Sequence, residues 1–243
     1  MENPIYIGLS RQTALRREMS VVANNIANMN TSGFRKEMMI NQAYIERQHI
    51  GSKLDFVIDK GTAIDFTPGK LDVTGNTFDL AVDGPGYFQV DDGQGIKYTR
   101  NGTFFLDDQN RLVSQPGHPV VDPNGNPIVI PSGGASIEIA PDGTVFDGEE
   151  VVGRIGIVEF DENYKLRKEK DSLYVTDETP KAALNSRVMQ GMIERSNVDP
   201  IYEMTNMIEV HRSYDAVKKM IDKETERQQN VVRRLARPMQ VQG

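Results

Sequence analysis

The chain has 243 residues, no cysteine, no tryptophan and a net charge of −7. That length holds one large domain or two modest ones around a buried core, and the missing cysteine excludes disulfides, thiolate nucleophiles and Cys-type zinc sites. Residues 50–199 carry 14 basic against 25 acidic side chains, so an acidic body lies between mixed-charge ends, a poor match for nucleic acid.

The start, MENPIYIGLSRQTALRR, has no apolar run long enough for a secretory leader, and nowhere does an apolar stretch approach the ~20 residues of a membrane-spanning helix. A soluble chain is expected which, if it leaves the cytosol, does so without a cleaved signal peptide. Asn3–Pro4 is a helix start, a cap followed by proline at the first helical position. Leu15, Met19, Val22, Ile26 and Met29 follow at spacings of four and three, a heptad seam, with a second apolar set, Ile5, Tyr6 and Leu9, outside it. The helix runs into ANNIANMNTSGFRK (23–36), which holds Asn24, Asn25, Asn28 and Asn30. Asparagine is a mediocre helix former because its amide competes for backbone hydrogen bonds, so this run marks an ending or a partner. Gly33 is the expected left-handed residue closing the helix.

Of 21 glycines, 19 fall between Gly33 and Gly191, and the period switches there from helical to alternating. FDLAV (78–82), GYFQV (86–90), IKYTR (96–100), TFFL (103–106), SIEIA (136–140) and RIGIVEF (154–160) read as short strands. DGPG, NG, DDQN, DPNGNP and PDG between them are turns, where Pro presets φ and Gly or Asn accepts positive φ. Asp199–Pro200 then repeats the cap-and-proline start. Met207, Val210, Tyr214, Val217, Ile221, Glu224, Gln228, Val231 and Leu235 keep three-four spacing, and Ile201, Met204, Ile208 and His211 form a second stripe. With no glycine or proline over 201–237, this helix is expected to span about 55 Å. Its two faces call for more than one neighbour, and the polar seam positions Glu224 and Gln228 either set the register or let the helix fray.

These patterns predict an α+β fold: a central antiparallel, mainly-β domain inserted between long N- and C-terminal helices that pair as a coiled coil. The expected division is 1–34, 35–198 and 199–243. No chemical site is expected. His49, His118 and His211 fall in three separate regions, and neither a nucleophile elbow nor a metalloprotease helix motif occurs. DGQGIKYTRNG has Tyr98 where a dinucleotide loop needs its third glycine, and TPGKLD lacks the rest of a P-loop. VDPNGNP and APDGTVFDG have the composition of calcium loops without the alternation or closing glutamate. The acid pairs Asp91–Asp92, Asp107–Asp108 and Glu149–Glu150 sit in turns. Catalytic residues, cofactor, metal and small-molecule substrate are all expected to be absent.

The stretch at 23–36 resembles the N-terminal signature of flagellar axial proteins (rod, hook and hook–filament junction), carried here by Ala23, Asn24, Asn25, Ile26, Ala27, Asn28, Thr31, Gly33 and Phe34. FDLAVDGPGYFQV with YTRNGTFFLDDQNRLV resembles the body signature of the rod and hook group, and SNVDPIYEMTNMIEVHRSYDAVKKMI (196–221) its C-terminal helix. The short body is unlike a hook subunit, and MENPIYIGLSRQ with DKETERQQNVVRRLAR looks closer to proximal than to distal rod subunits. The resemblance implies a non-enzymatic, self-assembling segment of the drive shaft crossing the periplasm, partnered by other rod proteins and by copies of itself. It also implies export, unfolded, through the flagellar type III apparatus, with no membrane insertion. The implied assembly interface comprises Asn24, Asn25, Ile26, Asn28, Gly33, Phe34, Met207, Val210, Tyr214, Val217 and Ile221. The asparagines would bond either across packed helices or at the closing loop, or else cap one fraying helix end. The competing reading from another class is a secreted domain that binds or cleaves cell wall and carries coiled-coil tails; the absent acid pair and lack of tryptophan weigh against it.

Overall fold

A computed structural model of the chain describes residues 3–47, 53–131, 137–161 and 165–235. His49, the start of the strand expected at 136, and the last turn expected to reach 237 lie outside the described residues. The rest falls into two compact units. One comprises 1–27, 37–63 and 199–243; the other comprises 28–36 and 64–198.

The first unit holds helix α1 (Asn3–Ala27), strands β1 (Glu37–Arg47) and β2 (Lys53–Ile64), paired as a two-stranded sheet, and helix α2 (Pro200–Leu235). The α2 start is as the sequence predicts: Asp199 Oδ1 accepts the N–H groups of Ile201 (2.9 Å) and Tyr202 (3.2 Å), with Pro200 at the first helical position. α1 and α2 pack antiparallel, Gly8 lying against Ile221 and Asn25 against Glu203. Ala14, Leu15, Val21 and Val22 of α1 and Val210 of α2 are buried. β1 and β2 are a hairpin that the strand patterns did not predict.

The second unit is the β body, and every strand pairing recorded in it is antiparallel. Its largest sheet has six strands, in the order Arg167–Lys168, Leu173–Val175, Ile96–Thr99, Tyr87–Asp91, Ile157–Glu159 and Lys181–Ala182. One apolar cluster, centred on Leu80, Phe88, Val90, Phe104, Leu112 and Ile130, fills the interior. A second, of Tyr87, Tyr98, Phe160, Leu166 and Tyr174, carries the aromatic edge-to-face contacts. The strand expected at 154–160 is broken. Glu150–Arg154 joins a three-stranded sheet and Ile157–Glu159 the six-stranded one; between them Gly156 donates its N–H to the Val121 carbonyl and accepts the Gln89 N–H, in a place so tight that a Cβ would lie 2.4 Å from the Gln89 amide oxygen.

Gly33 does not close α1 as expected. The helix stops at Ala27, six residues earlier, and Gly33 belongs to the body, with φ +66° and its N–H donating to the Glu194 carbonyl at 2.7 Å. A Cβ there would sit 2.3 Å from the Arg100 carbonyl carbon. Gly33→Ala should therefore destabilise the body by more than the ~1–2 kcal/mol of left-handed strain, because the Arg100 backbone must also move. Gly75→Ala, at φ +73° with open space around the site, should cost the strain alone. Equal losses in urea unfolding would mean that Gly33 is constrained only by its own dihedral.

Carboxylates tie several turns of the body, three of them through aspartates whose pKa is lowered. Asp107 Oδ1 accepts N–H groups from Arg111 and Gln109, Asp122 Oδ1 from Asn126 and Asn124, and Asp142 Oδ1 from Thr144. These bonds hold all three carboxyl groups below the ordinary value of 3.8. Their folded values are depressed, so their contribution to stability is present above that value and is lost as pH falls through the folded values. The melting temperature of the body should drop as pH falls below about 4. Asp122→Asn, which keeps an acceptor but cannot titrate, should shrink the drop, and an unchanged pH profile in that variant would contradict this account.

Candidate functional site

On α2, one row of side chains turns inward at three-four spacing. Glu203 and Val210 are buried, and Met207, Tyr214, Val217, Ile221, Glu224 and Gln228 are half-buried. From Met207 to Gln228 the row is the predicted seam; Val231, expected to continue it, is 45% exposed, and the Leu235 side chain lies outside the described residues. Glu203, one step before the row, was missed although the heptad spacing reaches it. Glu224 is bonded within its own helix, where the Arg227 side chain donates to it at 2.8 Å. The second stripe is uncovered: Ile201 is 79% exposed, Ile208 53% and Met204 48%, with Tyr202 beside them at 60%. On α1, Tyr6 and Leu9 are exposed as well. A helix pair with one apolar face packed and another in water has an unfilled contact surface.

The asparagine-rich stretch is divided among different tasks. Asn24 is exposed and Ile26 half-buried. Asn25 is 1% exposed; its Nδ2 donates to the Glu37 carbonyl (2.9 Å) and to Glu203 Oε2 (3.3 Å), while its Oδ1 accepts the Glu37 N–H (3.0 Å). One amide thus ties the last turn of α1 to the start of β1 and to the first turn of α2. Asn28, half-buried, accepts the Thr31 N–H on its carbonyl and the Thr31 hydroxyl on its side chain. Phe34 is buried in the body with the Lys168 ammonium 3.5 Å from its ring centre. Gly33 and Phe34 therefore point into the body, Asn25 and Val210 into the helical unit, and Asn24 to solvent.

The body has a charged centre that sequence reasoning missed. Arg35, Arg100 and Glu194 are each at least 96% buried. Glu194 Oε1 pairs with the Arg35 guanidinium and accepts the Gly69 N–H (2.8 Å), and Oε2 lies 3.2 Å from Arg100 Nε. The surplus positive charge is spread over carbonyls: Arg100 donates to Val82 (3.3 Å), Gly84 (2.7 Å) and Gly86, and Arg35 to Thr67 (2.8 Å). Burial pulls the Arg100 guanidinium below its ordinary value, and Glu194 opposes this. Burial pushes the Tyr87 phenol up, opposed by Arg100, which lies 5.4 Å from its ring centre, and by Arg35. The available signal was three charged residues beside turn glycines or at strand ends, in FRK, YTRNG and MIERS.

None of this resembles reaction chemistry. His118 lies in the body near Asp171 and His211 on α2 near Asp215, and among the described residues no group of three or more His, Cys, Asp or Glu could hold a metal ion. No helix among them is long and apolar enough to cross a membrane.

Three family models match the chain. Residues 5–35 match the one described as flagella basal body rod protein, 81–146 the flagellar hook protein FlgE/F/G D1 domain, and 189–234 the flagellar basal body rod FlgEFG protein C-terminal. The chain is 41% identical to the flagellar basal-body rod protein FlgF of Caulobacter vibrioides, across 98% of this chain and 99% of that one. It is 32% identical to FlgF of Mesorhizobium japonicum (88% and 90%) and 33% identical to the flagellar basal-body rod protein FlgG of Bacillus subtilis (96% and 98%).

Each matched segment contributes one member of the charged centre: Arg35 the first, Arg100 the second, Glu194 the third. Removing Glu194 leaves two guanidiniums buried without a counter-charge. Glu194→Leu should destabilise the body by about 3–5 kcal/mol in urea unfolding, and Glu194→Gln, which keeps an acceptor, by less. A loss below about 1 kcal/mol for Glu194→Leu would place it within the range of an exposed ion pair.

Proposed function

The chain belongs to the flagellar basal-body rod family and is a structural subunit of that rod, and from that premise we propose a place in its proximal part, assembled with other axial proteins and copies of itself through the helical unit. The observation that carries this reading is the uncovered apolar stripe Ile201, Tyr202, Met204 and Ile208, on a helix whose opposite face is already packed against α1. Tyr6, Leu9 and Asn24 of α1 and the half-exposed flanks of Ile26, Met207, Tyr214, Val217 and Ile221 complete the surface, on which α1 and α2 act as a coiled-coil pair. Asn25 and Val210 are buried inside the helical unit that carries this surface. The proximal position is supported by the opening MENPIYIGLSRQ and the tail after residue 221.

The role has no turnover: the subunit catalyses nothing, holds no cofactor and works by transmitting torque through packed helices in the periplasm. It reaches that place unfolded through the flagellar type III export apparatus.

Covering an apolar side chain of this size contributes roughly 1.5–3 kcal/mol, and the term recurs at every contact between neighbouring subunits. Ile208→Glu should therefore leave the urea unfolding of the purified chain within about 0.5 kcal/mol of the parent, as expected of an exposed site, yet give non-motile cells without hooks. Lys219→Glu, exposed on the same helix, should swim. Normal swimming by Ile208→Glu cells would remove the stripe from the assembly surface.

A further inference from the structure

The seam between α1 and α2 is built from similar apolar side chains at heptad spacing, and such a seam discriminates weakly between registers. Sliding α1 by one heptad, about 10 Å, would again set aliphatic and aromatic residues of α2 against it. Two features break the repeat. Asn25 and Glu203, both 1% exposed, meet inside the seam with Nδ2 3.3 Å from Oε2. At the other end Gly8 lies so close to α2 that a Cβ would be 2.9 Å from Ile221 Cγ1.

We propose that Asn25 and Glu203 are the register-determining pair of the helical unit, selecting one antiparallel alignment out of those the apolar seam accepts. A slip toward the α2 C-terminus would put the Asn25 amide against Val210, which is buried and offers a side chain with no hydrogen-bonding group, and would separate Glu203 from its amide partner. A slip the other way would carry Asn25 past the first turn of α2, which begins at Pro200, and set Gly8 against Tyr214. Polar pairs in apolar seams act in this way because the wrong alignment strands a buried polar group, a larger difference than one aliphatic contact exchanged for another. Asn25 also holds both backbone groups of Glu37, so the same residue sets where β1 starts relative to the helix pair. Glu224 and Gln228, the polar seam positions legible in the sequence, are half-buried, and Glu224 bonds within its own helix. The inference concerns alignment within one chain and stands apart from the assembly surface proposed above.

Because the chain has no cysteine, spin labels attach only at introduced positions. Ser20→Cys and Lys223→Cys place labels on exposed sites of α1 and α2, well separated along the pair, so a one-heptad slip changes their distance by up to about 10 Å. The full-length labelled chain should give a single distance, unchanged by Glu203→Gln, which keeps an amide–carbonyl bond. Asn25→Leu combined with Glu203→Leu removes the fully buried polar pair from the seam. It should retain the helical circular-dichroism signal while splitting the distances into two populations. A single, parent-like distance in that double variant would show that register is set elsewhere. Loss of its helical signal would show the pair to be a stability contact, and either result overturns the proposal.

Discussion

The β body depends on a carboxylate that must be buried between two guanidiniums. Glu194 is out of water together with Arg35 and Arg100, and desolvating three charges costs several kcal/mol each before pairing offsets it. The offset comes from the ion pairs and from backbone groups brought up to the cluster, although Arg35 Nε, Arg100 Nε and Glu194 Oε2 make no hydrogen bond. The DGPG stretch, read from sequence as a turn, is also a cradle whose Gly84 and Gly86 carbonyls accept from Arg100. Gly69 approaches near enough to donate to Glu194, and a Cβ on it would fall 1.8 Å from the Arg195 carbonyl oxygen. Gly33 brings the first segment into contact with the backbone at Arg100. Glycine at these places is a consequence of the charge cluster, since backbone must come where side chains usually stand.

The topology follows from the same constraint. Residues 28–36 and 189–198 come from opposite ends of the chain, yet both are integral to the body. The charge cluster is complete only when residue 194 has joined residues 35 and 100, so closure waits on contacts of long sequence separation. The helical unit is arranged on the opposite logic. Its packed seam holds one fully buried polar pair, Asn25 and Glu203, with the half-buried Glu224 and Gln228 further along, and its second face is left in water.

Much of this was legible. Heptad spacing located both helices and the inward row of α2, and the Asp199–Pro200 cap placed the α2 start to the residue. Alternation with turn glycines found six of the fifteen described body strands, to within two or three positions, and left the other short ones unread. The long hairpin was not found, because EMMINQAYIER mixes polar and apolar residues without strict alternation. In the region described, Met38 and Ile40 stay largely exposed, so no buried face was there to leave a pattern. Gly33 was misassigned for a physical reason: positive φ is required both at helix ends and at tight backbone approaches, and sequence alone does not separate the two. The charge cluster was hidden because its members lie 94 or more residues from Glu194, and single charged residues beside turns read as solvated.

The four asparagines near the end of α1 show why one residue type can recur without one role. Asn24 and Asn30 are exposed, and Asn28 organises the turn that follows the helix. Asn25 alone meets a demand that no other side chain of its size satisfies. Its amide must accept the Glu37 N–H while donating to the Glu37 carbonyl and to Glu203. Aspartate offers acceptors only and would set a second carboxylate against Glu203; leucine offers nothing; serine has a single proton to donate. Glutamine has the right groups on a stem one methylene longer, with another torsion to fix. The bonding at residue 25 therefore calls for asparagine in particular, and it does so because one buried amide has to serve a helix end, a strand start and a second helix at once.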